Sequence, residues 1–338
     1  NEWKWRKKTE PKEYEKAKRV YQESIEDIAI KVSSLYFAAI SALSDYQQSL
    51  AKSQDLEELY RISQRRLELG TITKGDLLQL ELSKLNAKVT VNEAKVKLND
   101  SLYDLFSYMR VTDYEHANLL PPENVLDMVL NVNDVLLKAR TNSSHAITQD
   151  LELIAAQQNL AKAKSAQGIQ MHLNAEVGFN RTADGFAAAY SHLQDNEIIG
   201  VTVTVPIFDW GVKKGRVMVA KSNLELAKTK REQADNDYVQ SVKREVMQFS
   251  LQAAQCRTSL QAQRISQERY DITKKRFEAG NVSVTELNTA LQELETAKSQ
   301  YISQLRTYWN YYYTLRKFTL YDWVQHQELT VDFDALVL

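Results

Sequence analysis

Apolar residues recur at spacings of three and four over most of this chain, the mark of amphipathic helix. Ile25, Ile28, Val32, Leu35, Ala39, Leu43, Tyr46 and Leu50 open one such series, which continues through Leu56, Tyr60 and Leu67. It predicts a single helix from about residue 12 to 69, roughly 85 Å long at 1.5 Å per residue, a coiled-coil rather than a globular length. A return helix is predicted from Asp76 to Met109, with Leu98, Leu102 and Leu105 on its apolar side. At roughly 50 Å it is too short to cover its partner. Beyond Pro121-Pro122 and a short helical stretch around 132–139, a further helix over about 147–166 carries Leu151, Ile154, Ala155 and Leu160 on one face. Stacked end to end on the return helix, it would make up the missing length.

The period then changes from about 3.6 to 2. Ile169, Met171, Leu173, Ala175, Val177 and Phe179 alternate with polar residues and glycine, and after a polar loop, Arg181–Asn196, so do Ile199, Val201, Val203, Val205 and Ile207. Each reads as a strand with one apolar and one polar face, as in a transmembrane β-hairpin with lipid outside and a wet lumen inside. The plain alternative is a soluble hairpin packed on the helices, since two strands alone are marginal.

A second long helix follows Asp209-Trp210-Gly211, with Val242, Val246, Phe249, Ala253, Cys256 and Leu260 at spacings of four and three. Its return partner carries Leu287, Leu291, Leu294, Tyr301, Leu305, Tyr308, Tyr312 and Leu315, and the aromatic run Tyr308–Tyr313, with Trp323, reads as packing at a helix junction. The two halves are copies. Gly70-Thr71-Ile72-Thr73-Lys74-Gly75-Asp76-Leu77 recurs 210 positions later as Gly280-Asn281-Val282-Ser283-Val284-Thr285-Glu286-Leu287. Each copy spells a helical hairpin tip: a glycine to stop one helix, two linking residues, then Thr or Ser followed three residues on by an acid to start the next. Glu2-Trp3 matches Asp209-Trp210, so the first copy's strand pair and stacking helix are expected before Asn1, and the chain reads as a fragment.

The pattern divides the chain into a first helical hairpin (1–111), a connecting segment (112–146), a stacking helix (147–168), a strand pair (169–208), a second helical hairpin (209–320) and a C-terminal segment (321–338). Helices apolar on more than one stripe need two neighbours each, as staves of a barrel do, so the fold class is mainly α and oligomeric. Four prolines and nine glycines in 338 residues agree with long helices. A net charge of −1 with 26% charged residues of both signs leaves no basic stripe for nucleic acid. The lone Cys256 cannot form an internal disulfide, and the five histidines lack metal-ligand spacing, so no metal or cofactor is expected. No nucleophile–base pair or phosphate-binding glycine loop appears, which argues against an enzyme. No apolar run reaches the ~18–20 residues of a spanning helix, which leaves a β-barrel as the only route across a membrane.

Two sets of residues carry a family resemblance. Arg66-x-x-x-Gly70-x-x-Thr73-x-x-Asp76-Leu77-Leu78 is copied as Arg276-x-x-x-Gly280-x-x-Ser283-x-x-Glu286-Leu287, and Val205-Pro206-Ile207-Phe208-Asp209-Trp210-Gly211 follows a strand. With these the chain resembles the TolC family of outer-membrane efflux proteins. The resemblance implies a homotrimer whose protomers share one transmembrane β-barrel, running into a periplasmic α-barrel of long antiparallel coiled-coil hairpins. It implies an exit duct in the outer membrane of a Gram-negative bacterium for drugs, metal ions or proteins. Such a duct works with a periplasmic adaptor and an inner-membrane transporter, touches outer-membrane lipid, and is not an enzyme. The competing class is a coiled-coil scaffold or adhesin without a conduit, which explains neither the alternating strands nor the duplication.

The resemblance also sets expectations for the tips. Thr71, Ile72, Thr73, Asn281, Val282 and Ser283 are expected at the periplasmic end, against the adaptor, while Thr73 with Asp76 and Ser283 with Glu286 are expected to form capping boxes. In the family the second hairpin closes the mouth through acidic rings and a Tyr–Arg network. Here Glu286 stands on one acidic ring and Asp76 on an interacting acid of the first tip. Phe277 replaces the tyrosine, Val282 the arginine and Thr289 a second acid. Closure is therefore expected to rest on apolar packing of Phe277 and Val282 and on repetition of Glu286.

Overall fold

The computed structural model describes residues 2–112, 118–120, 122, 125, 128–180, 194–205, 208–333 and 335. Pro121, most of the predicted strand loop, Pro206-Ile207, His116 and His192 lie outside them. Helices α1 (Glu2–Glu68), α2 (Lys74–Tyr108), α3 (Val132–Asn142) and α4 (His145–Ser165) precede strands β1 (Gln170–Asn180) and β2 (Gln194–Thr204). Helices α5 (Val212–Glu278) and α6 (Val284–Thr319) and the two-residue strands β3 (Tyr321–Asp322) and β4 (Gln327–Glu328) complete the order. The two longest helices, α1 and α5, each have 67 residues, and each leads into a return helix of about half that length, as the duplication requires.

Two boundaries differ from the sequence reading. Helix α1 begins near Glu2 rather than residue 12 and runs through Pro11; a proline there removes one ladder hydrogen bond but does not reverse the chain. Strand β2 begins at Gln194, five residues before the alternation of apolar residues becomes visible, because Gln194-Asp195-Asn196 pair through their backbone with Asn180, Phe179 and Gly178. In addition, α1 contains a stretch that meets the length and composition of a spanning helix, which the sequence reading did not expect, and only 22% of it is buried within the chain.

One compact unit comprises residues 1–16 and 145–237. Here Asp150 of α4 joins Lys12 of α1 (2.8 Å) to Arg231 of α5 (2.9 Å), and His145 lies 3.1 Å from Asp235. Lys12 first, and Arg231 with it, hold the Asp150 carboxyl below its ordinary value against the opposing effect of burial. The strand pair is an antiparallel ladder from Gln170↔Thr204 to Asn180↔Gln194. Met171, Leu173, Val177, Ile199, Val201 and Val203 are all exposed, so the pair does not pack its apolar face on the helices of its own chain, contrary to the soluble-hairpin alternative.

The second unit comprises residues 17–144 and 238–338 and holds three cores. The largest gathers Phe37 of α1, Val135 and Ala139 of α3, Val242, Val246, Phe249 and Cys256 of α5, and Leu305, Tyr308, Tyr312 and Leu315 of α6. The rings of Phe249 and Tyr308 lie 4.9 Å apart, so the aromatic run packs at a helix junction as its spacing indicated. Beyond α6 the chain turns at Leu320 (φ 45) and folds β3 against β4. There Arg316 bridges two nearly buried acids, Glu26 of α1 (3.0 Å) and Asp322 (3.2 Å), and Asp322 also accepts from the Tyr312 hydroxyl (3.0 Å). Away from the cores, α2 leaves Leu78, Leu82, Leu85, Val89, Val96 and Tyr103 exposed, and α5 leaves Met247, Leu251, Ile265 and Ile272.

Candidate functional site

The two hairpin tips lie in the second unit and are built alike where the backbone turns. Helix α1 ends with Gly70 in the left-handed region (φ 72), and the amides of Gly70 and Thr71 donate to the carbonyls of Leu67 and Arg66, both at 2.9 Å. Helix α5 ends with Gly280 (φ 85), whose amide donates to Phe277 while that of Asn281 donates to Arg276, again both at 2.9 Å. These are matching Schellman closures, which a residue with a Cβ forms only under strain.

The starts of the return helices differ. At the first tip the Asp76 amide donates to the Thr73 hydroxyl (3.2 Å), and the Asp76 carboxylate accepts from the Thr73 amide (3.1 Å) and hydroxyl (2.8 Å). This complete box holds the Asp76 carboxyl below its ordinary value, the Thr73 hydroxyl contributing most and the amide next. At the second tip the Glu286 amide donates to the Ser283 hydroxyl (3.2 Å), but among the described residues the reciprocal bond is absent. The Glu286 carboxylate instead faces Arg276 at 3.8 Å. The expected second capping box is thus only half formed, because a cation one turn before Gly280 competes with the Ser283 amide for the acid.

Between the tips lies a core of Leu59 and Tyr270 with Leu80, Phe277, Val284, Leu287 and Ala290, and Val282 packs against it. Phe277 is only 2% exposed. It is therefore held within one chain, not displayed on a free surface. Arg66 joins the hairpins: its Nη1 donates to the Phe277 carbonyl at 3.4 Å, and its guanidinium lies 5.6 Å from the Phe277 ring centre. Sequence reading used Arg66 only as a motif marker. The basic residue four positions before each glycine was the available signal, but a carbonyl 211 positions away was not readable from it.

Outside this core the tips present Thr71, Thr73, Asn281 and Ser283 as an exposed rim, with Ile72 and Val282 half-buried. Thr289 donates to its own helix at Thr285. Among the described residues no group of three or more His, Cys, Asp or Glu could hold a metal. The rim is thus apolar at two points and polar around them.

The glycines permit a direct test. Gly70→Ala is expected to cost about 1–2 kcal/mol through left-handed strain alone, since a Cβ there meets open space. Gly280→Ala is expected to cost about the same, because its φ of 85 imposes the same strain and its Cβ would reach only ordinary contact distance, 3.4 Å, from the mobile end of Arg66. A much larger loss at Gly280 than at Gly70 in denaturant unfolding would show that Arg66 is fixed against the second tip.

Solved structures with the same fold are outer-membrane channels. The Campylobacter jejuni CmeC outer membrane channel superposes with a TM-score of 0.73 at 16% identity, over 99% of this chain and 70% of that one. The Vibrio cholerae outer membrane protein VceC gives 0.68 at 14% identity, over 95% of this chain and 74% of its own. The open state of the Neisseria gonorrhoeae MtrE outer membrane channel gives 0.63 at 15% identity, over 94% and 73%. Nothing matches among curated protein sequences. The profile of the outer membrane efflux protein family matches residues 142–319, from the end of α3 through the strand pair and both helices of the second hairpin. That segment is more than half of the chain, which therefore belongs to the outer membrane efflux protein family.

Proposed function

We propose that three copies of this protein form a channel-tunnel that carries small molecules or proteins from the periplasm to the exterior. The strand pair contributes to a shared β-barrel in the outer membrane, and the helical hairpins line a periplasmic α-barrel. The tips dock a periplasmic adaptor that couples the duct to an inner-membrane pump, which supplies the energy. One observation carries this reading: an antiparallel ladder with its apolar face exposed, continuous in sequence with long helical hairpins. Lipid is the partner that such a face requires, and only a closed barrel satisfies the ladder's edges in a membrane. Single-channel conductance of the full-length protein in planar bilayers tests the proposal. A protein that inserts without conducting would instead be a scaffold or adhesin.

Glu286 is assigned to the mouth. Its carboxylate is released from capping and about half exposed, so threefold repetition would crowd three acids at a narrow opening, offset in part by Arg276. Such a ring favours cations, and salt screens it within about 8–10 Å. Glu286→Gln is expected to lower cation selectivity or divalent-ion block. Asp76→Asn should change both less, since Asp76 is committed to its capping box. Should Glu286→Gln alter only thermal stability, its role would be confined to the helix start.

A further inference from the structure

We propose that the residues bordering the strand pair form a basic and aromatic collar that binds anionic phospholipid headgroups. The inference rests on the membrane placement proposed above and names the lipid chemistry at that boundary. In the first unit, Asp150 pins α4 to α1 and α5. From that pin α4 runs into β1, α5 runs back to β2, and α1, antiparallel to α4, runs in the same direction. The helix segments nearest the strands are strongly cationic. Residues 2–8 hold four cations and one acid, residues 160–168 two cations and no acid, and residues 209–216 three cations and one acid. Asp209, the acid of the third segment, is occupied in capping α5 through the amides of Gly211 (3.1 Å) and Lys213 (2.9 Å). Of these nine cations, only Arg6 takes part in an ion pair among the described residues, with Glu10.

Large aromatic rings stand beside the cations. Trp3 is 70% and Trp210 87% exposed. The Trp210 ring lies 4.6 Å from that of Phe208, and its backbone is left-handed (φ 53), a conformation unfavourable for a bulky residue. The chain thus holds an indole outward at the foot of β2 against local preference, a kind of strain that marks functional positions. The same device occurs in both halves of the duplication: Trp3 with Arg6 and Lys7, and Trp210 with Lys213 and Lys214. Nζ of Lys7 lies 5.3 Å from the Trp3 ring. An indole seated at the headgroup level with ammonium groups one turn away matches the ester region and phosphate of a phospholipid. Negative charge is what the unpaired cations lack. Directly above them the apolar ladder face demands acyl chains, so lipid fits both features where an acidic protein would fit only one.

The test uses the full-length protein reconstituted into vesicles of phosphatidylcholine and phosphatidylglycerol in equal parts, re-extracted into mild detergent and analysed for retained headgroups. Wild-type protein is expected to retain phosphatidylglycerol over phosphatidylcholine by about fivefold or more, falling with salt. The surface variant Lys4→Gln/Lys7→Gln/Lys213→Gln/Lys214→Gln is expected to insert and conduct equally but to retain both lipids alike. Equal retention by an inserted, conducting wild type overturns the collar while leaving the channel intact, and so does enrichment that survives in the variant. Loss of adaptor cross-linking in the variant, with no lipid preference in the wild type, would assign the patch to an acidic protein surface. Failure of the wild type to insert at all strikes the channel reading instead.

Discussion

Replacing Ile72 and Val282 with aspartate is expected to abolish cross-linking to the periplasmic adaptor, a loss of about a hundredfold or more in apparent affinity, equivalent to ~3 kcal/mol. Both residues occupy the linking positions of the tips, where they are half-buried within a polar rim. A partner that covers them must desolvate whatever stands there, and an unpaired carboxylate in that contact is costly. The two changes are not equivalent. Val282 packs against the tip core, so Val282→Asp also loosens Phe277 and Leu287, whereas Ile72 lies outside that core. Ile72→Asp alone should weaken cross-linking while the melting temperature stays within a degree or two of wild type. Undiminished cross-linking by the double variant, in a protein that still assembles, would remove the tips from the docking surface.

Arg316→Met should lower stability by about 3–5 kcal/mol, the usual cost of removing one partner of a buried ion group. Glu26 and Asp322 would then face each other with no cation between them, and both are nearly inaccessible to solvent. The two acids respond to pH in opposite senses. Burial raises the Glu26 carboxyl above its ordinary value of 4.5, more than Arg316 lowers it. Burial also pushes Asp322 up, but the amides of Gln325 and Val324, the Tyr312 hydroxyl and Arg316 together outweigh it and hold Asp322 below 3.8. Since the folded protein binds a proton at Glu26 more readily than the unfolded chain does, stability from this group rises as pH falls through its raised pKa. Asp322 contributes stability above pH 3.8, lost as pH falls through its lower folded value. Glu26→Gln should therefore cost little at neutral pH and flatten the profile above pH 4.5. Asp322→Asn should be costly at neutral pH and remove the acid limb. Thermal unfolding across pH separates them, and identical profiles for both variants would refute the assignment.

What the sequence made legible were features fixed by local rules. A glycine that must turn left-handed and a hydroxyl three residues before an acid are short-range demands, and Gly70, Gly280, Thr73 and Ser283 all stand where those rules put them. Periodicity likewise located the long helices and both strands. It missed the first three residues of β2, because Gln194, Asp195 and Asn196 pair through their backbone and their side chains carry no alternation. It also stopped α1 at Pro11, a residue that a long helix supported on both sides of the break can include. The site was harder to read, since its decisive contacts join distant residues. Arg66 meets Phe277 only after both hairpins have formed, and the competition of Arg276 with Ser283 for Glu286 depends on side-chain directions. Phe277 was recognised as unusual, but its burial within a single chain came from Leu59, Leu80 and Leu287 around it.

The exposed apolar row on α2 has an arithmetic of its own. Leu78, Leu82, Leu85, Val89, Val96 and Tyr103 are separated by four, three, four, seven and seven residues, and on α5 Met247, Leu251, Ile265 and Ile272 fall on the same grid. A straight helix drifts by roughly 20° with every seven residues, so a row that stays in register with a neighbour obliges the pair to wind left-handed. One inserted residue would turn everything beyond it by about 100°, carrying half the row away from whatever covers it. Seven inserted residues would turn it hardly at all. In the proposed tunnel, walls of such helices would keep their register when lengthened or shortened by whole heptads, about two helical turns at a time.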